Sequence, residues 1–340
     1  FGLASGFAAF MVIWCFNRFV QSMGWGAVVK TASRWFPPRL IGTMLGFLSL
    51  SYLFGDVAAR AVLGQVIAWD FGWRGVFLAS AAILGAILIL NFFLLKSSPA
   101  DVGEEEPAAN ERNLYGSEGN ASRPRDLLDL FKPFFKSFAF WLVCVMSFGL
   151  TLIRETFNFW TPTYLTEFLS MSPERAAQAS ALFPLFGGLS VIVSGMASDS
   201  LSAGRRGLVM VAFLLPAVGA LFALAHLDQS TNPTSALILI SAVGFLILGP
   251  YAFLAGAISV DLGGKRGSST AAGLADTAGY LGGIISGAYI GAIAQHRGWT
   301  SAMNFLAIVL AATAVVAIVY WYVHEYRGSK PKNITTAKES

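Results

Sequence analysis

Nine apolar stretches, each long enough to cross a hydrocarbon layer, dictate what this chain can fold into. They run over about 5–27, 41–67, 73–95, 138–162, 176–197, 207–226, 234–258, 268–293 and 299–323. A membrane helix needs roughly 20 mostly apolar residues. The expected fold is therefore an all-α, polytopic membrane protein with nine helices. Only 12% of the 340 residues are charged and 55% are hydrophobic, against about 25% charged in a soluble domain. That balance excludes a disordered chain, a coiled coil and an ordinary soluble enzyme.

Short polar turns join most stretches. The exception is 97–136, which contains SSPADVGEEEPAANERNLYGSEGNASRPRD and is rich in charge, Pro, Gly and Ser. It reads as a linker outside the membrane, with Glu104-Glu105-Glu106 as a solvated run. The expected organisation is helical units at 1–96 and 137–325 around that linker, with a tail at 326–340. Placing the turn 28–40, the linker with Lys96 at its edge, the turns 198–206 and 259–267 and the tail on one side gives that side 17 of the 23 Lys and Arg. The other side holds Arg74, Arg175 and Arg297. Basic loops stay inside, so linker and C-terminus are expected to be cytoplasmic, in a cell (inner) membrane. The same placement explains the net charge of +4 without nucleic acid, leaving the lipid bilayer as the partner of the apolar faces. The sequons Asn120-Ala-Ser122 and Asn333-Ile-Thr335 fall on the cytoplasmic side, so no glycosylation is expected. The first residue is Phe1, and no charged segment precedes the first apolar run, so that run is not a signal peptide.

A repeat runs through the chain. Arg39 and Arg266, Gly46 and Gly273, and Gly55 and Gly282 are each 227 residues apart. Gly72-Trp73 and Gly298-Trp299 are 226 apart. By that offset the second half has six spans and the first shows its last three, so three spans are expected upstream. Two parallel six-helix halves are the plan of major facilitator transporters. Two motifs carry the same resemblance. Asn17-Arg18-Phe-Val-Gln21-Ser-Met-Gly24-Trp25-Gly26 resembles RxxQGxGxA, and Gly195-Met-Ala-Ser-Asp199 with Arg205-Arg206 resembles the loop motif between spans 8 and 9. The expected fold is a major facilitator fold lacking its first three transmembrane helices, so that the chain holds spans 4–6 and 7–12.

Further motifs resemble the organophosphate:phosphate antiporter family, which includes bacterial glycerol-3-phosphate and hexose-6-phosphate antiporters. They are Gly249-Pro250, Asp261 before Lys265-Arg266, Thr270-Ala-Ala-Gly273, Gly279-Tyr280-Leu-Gly-Gly283, and Arg154 eight residues before Pro162-Thr163-Tyr164-Leu165. The resemblance implies exchange of a phosphate ester, a small anionic substrate, for inorganic phosphate by alternating access. It also implies that Arg154 binds phosphate with a second arginine in the first span. The chain departs from the family at Tyr52, where the family has histidine, at Glu155, and at Asp276, which replaces a small residue.

Six ionisable residues fall within spans: Arg18, Asp56, Arg60, Arg154, Glu155 and Asp276. Each costs about 2.5–3.5 kcal/mol at a helix centre unless partnered or wet. Thr151, Arg154, Asn158 and Thr161 share one helical face, which is expected to line a cavity with Tyr52 and Tyr251. A planar, always-charged guanidinium suits phosphate; the alternative is structural pairing of Arg154 with Glu155 or Asp276. Neighbours i and i+1 point about 100° apart on a helix, so Glu155 is expected to be a poor constant partner. Asp56 and Arg60, at i and i+4, suit an ion pair. Arg18 either caps a charge network or pairs with Asp276 or Asp56. Asp199, Arg205 and Arg206 are expected to act in gating, whereas Asp261 with Lys265-Arg266 reads as orientation.

The two cysteines form no CxxC and the three histidines are far apart, so no metal site and no cofactor are expected. No nucleophile–base set suggests an enzyme, and no catalytic residue is assigned. Two rivals to exchange stay open: a proton-coupled symporter of a sugar acid or other organic anion, using Glu155 or Asp276, and a transporter-like sensor of a phosphorylated sugar. A monomer is expected.

Overall fold

A computed structural model of the chain describes residues 1–120, 126–201, 205–228 and 232–326; within the second helix the side chains at 52–54, 56, 57, 60, 61, 64, 67 and 68 fall outside the description. Among the described residues the long elements are all helices and no strand occurs. The order is α1 (Phe7–Trp35), α2 (Ile41–Ala68), α3 (Gly72–Leu94), two short 3-10 turns (Pro99–Val102 and Gly116–Asn120), α4 (Leu127–Lys136), α5 (Phe138–Glu167), α6 (Pro173–Ser180), α7 (Leu182–Ser200), α8 (Arg206–Ala225), α9 (Pro233–Leu254) and α10 (Ala257–Tyr320). A last turn covers Trp321–Tyr326.

Helix falls on every predicted apolar stretch, with α6 and α7 sharing one. By length and composition, five described stretches qualify to cross a membrane, and the last of them, Pro233–Tyr326, spans 94 residues and includes α9 and α10. α10 is not one rod: Gly264 (φ 57°) and Gly298 (φ 80°) break it into 257–263, 265–297 and 299–320. Gly72, the repeat mate of Gly298, also has positive φ, at 62°. Both glycines therefore supply a backbone conformation that side-chain-bearing residues resist, each just before a tryptophan that opens a span. Local signals set other starts. The Ser137 hydroxyl accepts from Phe140 N at 3.2 Å to begin α5. Asn232 caps α9 through Thr234 N at 3.0 Å, with Pro233 in the first turn.

The core lies in α5–α10, where Leu150, Ile153, Leu214, Ile240, Ile247, Leu306 and Leu310 are wholly buried. α3 buries no residue. α1 and α2 meet the rest of the chain at the end that carries the linker. There Trp25 Nε1 donates to the Ala255 carbonyl at 3.0 Å, and the Ser33 and Ser268 hydroxyls lie 3.3 Å apart. α2 crosses α7 on glycines: a Cβ at Gly195 would stand 2.5 Å from the Gly42 carbonyl oxygen, and one at Gly46 3.0 Å from that of Val191. Small residues let membrane helices approach this closely.

Gly195→Val is therefore expected to push α2 off α7 and to cost about 1–3 kcal/mol, as overpacking does. Thermal unfolding in detergent checks this, with Gly219→Ala as the control because a Cβ there meets nothing within 4 Å. Equal melting of the two variants would show that the crossing does not depend on this contact.

Candidate functional site

α5, α9 and α10 bring five polar side chains together. From α5, Arg154 lays its guanidinium over the Tyr251 ring of α9, 4.4 Å from the centroid. Arg154 also makes an ion pair with Glu155, and both side chains are largely buried, at 23% and 15% exposure. The pairing goes against the expectation that Glu155 is a poor partner for Arg154 and follows the alternative of structural pairing. Their Cβ atoms diverge, but long flexible stems swing the heads together, and in a poorly hydrated wall an unpaired arginine costs more than the bend. The Nε–H of Arg154 is buried with no acceptor among the described residues. Asp276 and Tyr280, one turn apart on α10, lie within electrostatic reach of Arg154 and Tyr251. Asp276 is half-buried and makes no ion pair or hydrogen bond among the described residues. Tyr280 was not singled out from sequence, although its i+4 spacing from Asp276 was there to be used.

The predicted polar stripe on α5 divides. Asn158 is exposed beside Arg154, whereas Thr151 and Thr161 are buried. The Thr161 hydroxyl donates to the Phe157 carbonyl at 2.6 Å, and Thr151 Oγ1 packs against Gly279 of α10. Thr151 therefore joins α5 to α10, Thr161 bonds within its own helix, and neither lines the open side. Arg18 is exposed; it donates to Gln21 Oε1 at 3.1 Å and lies 5.7 Å from the Trp14 ring; of its two alternative partners, Asp276 does not pair with it and Asp56 lies outside the described side chains. α1 approaches α10 farther along, at Trp25 and Ser33. The side chains of Tyr52, Asp56 and Arg60 lie outside the described residues.

A second cluster closes the linker end. Arg206, buried to 1% exposure, donates to Asp199 Oδ1 at 2.6 Å, Asp261 Oδ2 at 3.1 Å, Ser198 Oγ at 2.5 Å and the Pro38 carbonyl at 3.0 Å. Asp199 in turn accepts from Gly42 N (3.2 Å) and Thr43 N (2.6 Å), the free amides at the start of α2. Arg205 is exposed and joins no ion pair among the described residues.

The linker completes this seal. Glu106 bridges Arg34 of α1 (2.6 Å) and Lys265 (3.0 Å), so it is not part of a solvated run. Burial alone would raise its carboxyl, but Arg34 and Lys265 hold it below the usual carboxylate range. The bridge stabilises above that range and is lost as pH falls through the lowered value. Asn110 donates to Asp261 at 2.8 Å, Glu118 pairs with Arg266 at 2.5 Å, and Leu114 N donates to the Leu262 carbonyl at 2.8 Å. The Asp261–Arg266 turn is thus a docking surface for the linker, beyond its contribution to orientation. Distant partners, 148 to 159 residues away for Lys265 and Arg266, made this invisible in the local sequence.

Arg206→Gln should leave Asp199 and Asp261 uncompensated. Breaking a buried pair costs about 3–5 kcal/mol, whereas Arg205→Gln should stay within about 0.5 kcal/mol. Denaturation in detergent separates the two, and equal stability would remove Arg206 as the keystone.

Chemically, the Arg154 cluster offers a planar cation with an unused donor, two carboxylates and two phenols. This suits recognition of an anion. Comparison with known proteins agrees with that chemistry. The chain is 27% identical over 322 residues to the glycerol-3-phosphate transporter of Bacillus subtilis, covering 94% of this chain and 71% of that protein. It is 29% identical over 346 residues to sugar phosphate exchanger 3 of Gallus gallus, covering 93% and 67%. Likeness to a probable hexose phosphate transport protein of Chlamydia muridarum is 27% over 340 residues, covering 94% and 72%. The sequence profile of the Major Facilitator Superfamily matches residues 1–287, and with the helical architecture and apolar spans this chain belongs to that superfamily of multi-pass membrane transporters.

Proposed function

We propose that the protein is a secondary transporter exchanging a phosphorylated metabolite for inorganic phosphate by alternating access. The observation that carries this is Arg154: a largely buried guanidinium, backed by Tyr251, with an Nε–H that has no acceptor among the described residues. Such a group can donate parallel hydrogen bonds to a phosphate. The relatives named for glycerol-3-phosphate and sugar phosphates support a phosphate ester as the substrate. Arg154, Asn158 and Tyr251 form the described part of the binding wall, with Tyr52 assigned from sequence.

In this reading 1–96 and 137–325 belong to the two rocking halves, joined by the linker 97–136, and the tail is 326–340. By the distribution of basic loops this reading assigns linker and tail to the cytoplasmic side of a cell (inner) membrane. Asp199 and Arg206 then close the cytoplasmic gate, while Arg205 is a bystander. The protein works as a monomer. A second reading, proton-coupled symport of an organic anion, draws on one observation: Asp276 stands half-buried beside Arg154 without an ion pair. A carboxylate so placed is the residue that could carry a coupled proton.

In proteoliposomes, Arg154→Lys should weaken phosphate binding by about 10- to 100-fold, because lysine keeps the charge but loses the fork. Asn158→Ala should lose less. Exchange at wild-type rate and affinity in Arg154→Lys would refute the clamp. Uptake that needs a proton gradient and vanishes in Asp276→Asn would transfer the assignment to symport.

A further inference from the structure

We infer that Glu155 is a tethered counter-ion that stands in for substrate phosphate when the site is empty, and that it lets the empty carrier reorient, so that the protein performs net transport as well as exchange. The inference rests on the exchange reading above. A carrier restricted to strict exchange needs a barrier that stops its empty form from switching. A bare arginine supplies one, because the occluded state through which the halves pass would bury an uncompensated charge. Substrate phosphate removes that barrier by neutralising the arginine.

Here the arginine is neutralised without substrate. Glu155 already holds one arm of Arg154, and both heads are mostly out of solvent. The Glu155 stem packs against α10 at Gly283, where a Cβ would stand 3.5 Å from Glu155 Cγ, an ordinary contact. Tyr251 covers the other side of the guanidinium. The charged and titratable groups that face this pair are Tyr251 from α9 and Asp276 and Tyr280 from α10. None of these adds positive charge; Glu155 is the acid in direct ion-pair contact with Arg154 among the described residues, and Asp276 acts on it only at longer range. An incoming phosphate competes with it for the same donors. Glu155 therefore lowers affinity for phosphate and raises the mobility of the empty form.

The test uses the full-length protein in proteoliposomes loaded with radiolabelled inorganic phosphate, with the membrane potential clamped. Efflux is measured into phosphate-free medium (net flux) and into medium containing phosphate (exchange). Wild type should show clear net flux. In Glu155→Gln the ratio of net flux to exchange should fall about 10- to 100-fold, because the empty site loses the counter-ion in contact with its arginine. Phosphate should also bind that variant more tightly, and Glu155→Asp should restore part of the ratio. Wild-type release that occurs only with phosphate outside overturns the inference while leaving exchange standing. So does a Glu155→Gln ratio equal to wild type. Absence of both fluxes in folded wild type, with glycerol 3-phosphate also inert, overturns the exchange reading together with this one.

Discussion

A charged group among apolar helices must find its opposite or face water, because leaving it bare in hydrocarbon costs several kcal/mol. Three levels of compensation divide this chain into working parts. Arg206 is over-compensated, with two carboxylates, a hydroxyl and a carbonyl around one buried guanidinium. Arg154 is compensated once and keeps a buried donor free. Asp276 has no ion pair among the described residues. The first arrangement suits holding helices together, and the second suits taking and releasing an anion. The third leaves a place where a proton or another cation changes the charge of the site.

The fold was legible because its signal is collective. Runs of apolar residues needed no knowledge of partners, and helix lies on each of them. The repeat offset also had a physical basis, since Gly72 and Gly298 share the positive φ that opens a span. The site was legible in part. Arg154 and Tyr251 could be named because an arginine and a tyrosine inside apolar runs are conspicuous, but their partners could not all be found. Glu155 was discounted by a rule about Cβ directions, which holds for short side chains better than for a head on the long stem of arginine. Glu106 was read as solvated because its ligands, Arg34 and Lys265, lie 72 and 159 residues away. Arg205 and Arg206 were indistinguishable as letters, and only the start of α8 decides which one turns inward.

The linker changes meaning in this light. It touches α1 through Arg34 and the 261–266 turn through Asn110, Leu114 and Glu118, so a segment rich in Pro, Gly and Ser acts as a strap across the linker end. Its contacts are ion pairs and hydrogen bonds rather than apolar packing. That choice has an energetic logic: a seal that must open repeatedly should lose little when water enters. On opening, the part-exposed Arg34 and Glu106 exchange their pairing for water, and the buried Lys265 and Arg266 gain hydration as the strap lifts away.

The same reasoning sets the two arginines apart. If the halves separate at the linker end, Arg206 gives up Pro38, and Asp199 gives up the amides of Gly42 and Thr43. Yet Arg206 keeps Asp199, Asp261 and Ser198, all supplied by residues 198–261 on its own side. Opening therefore exposes free amides at the start of α2 to water without stranding a buried charge. Arg154 has one acid in contact, Glu155, with Asp276 at longer range. One arginine with redundant acids on its own side, and another with a single contacting acid, is the distribution expected if closure at the linker end is reversible and Arg154 meets an anion. Glycine at positions 42, 46 and 195 completes it, because close backbone approach supplies dispersion contact that vanishes as a unit when α2 and α7 part, with no side chain left to reorganise.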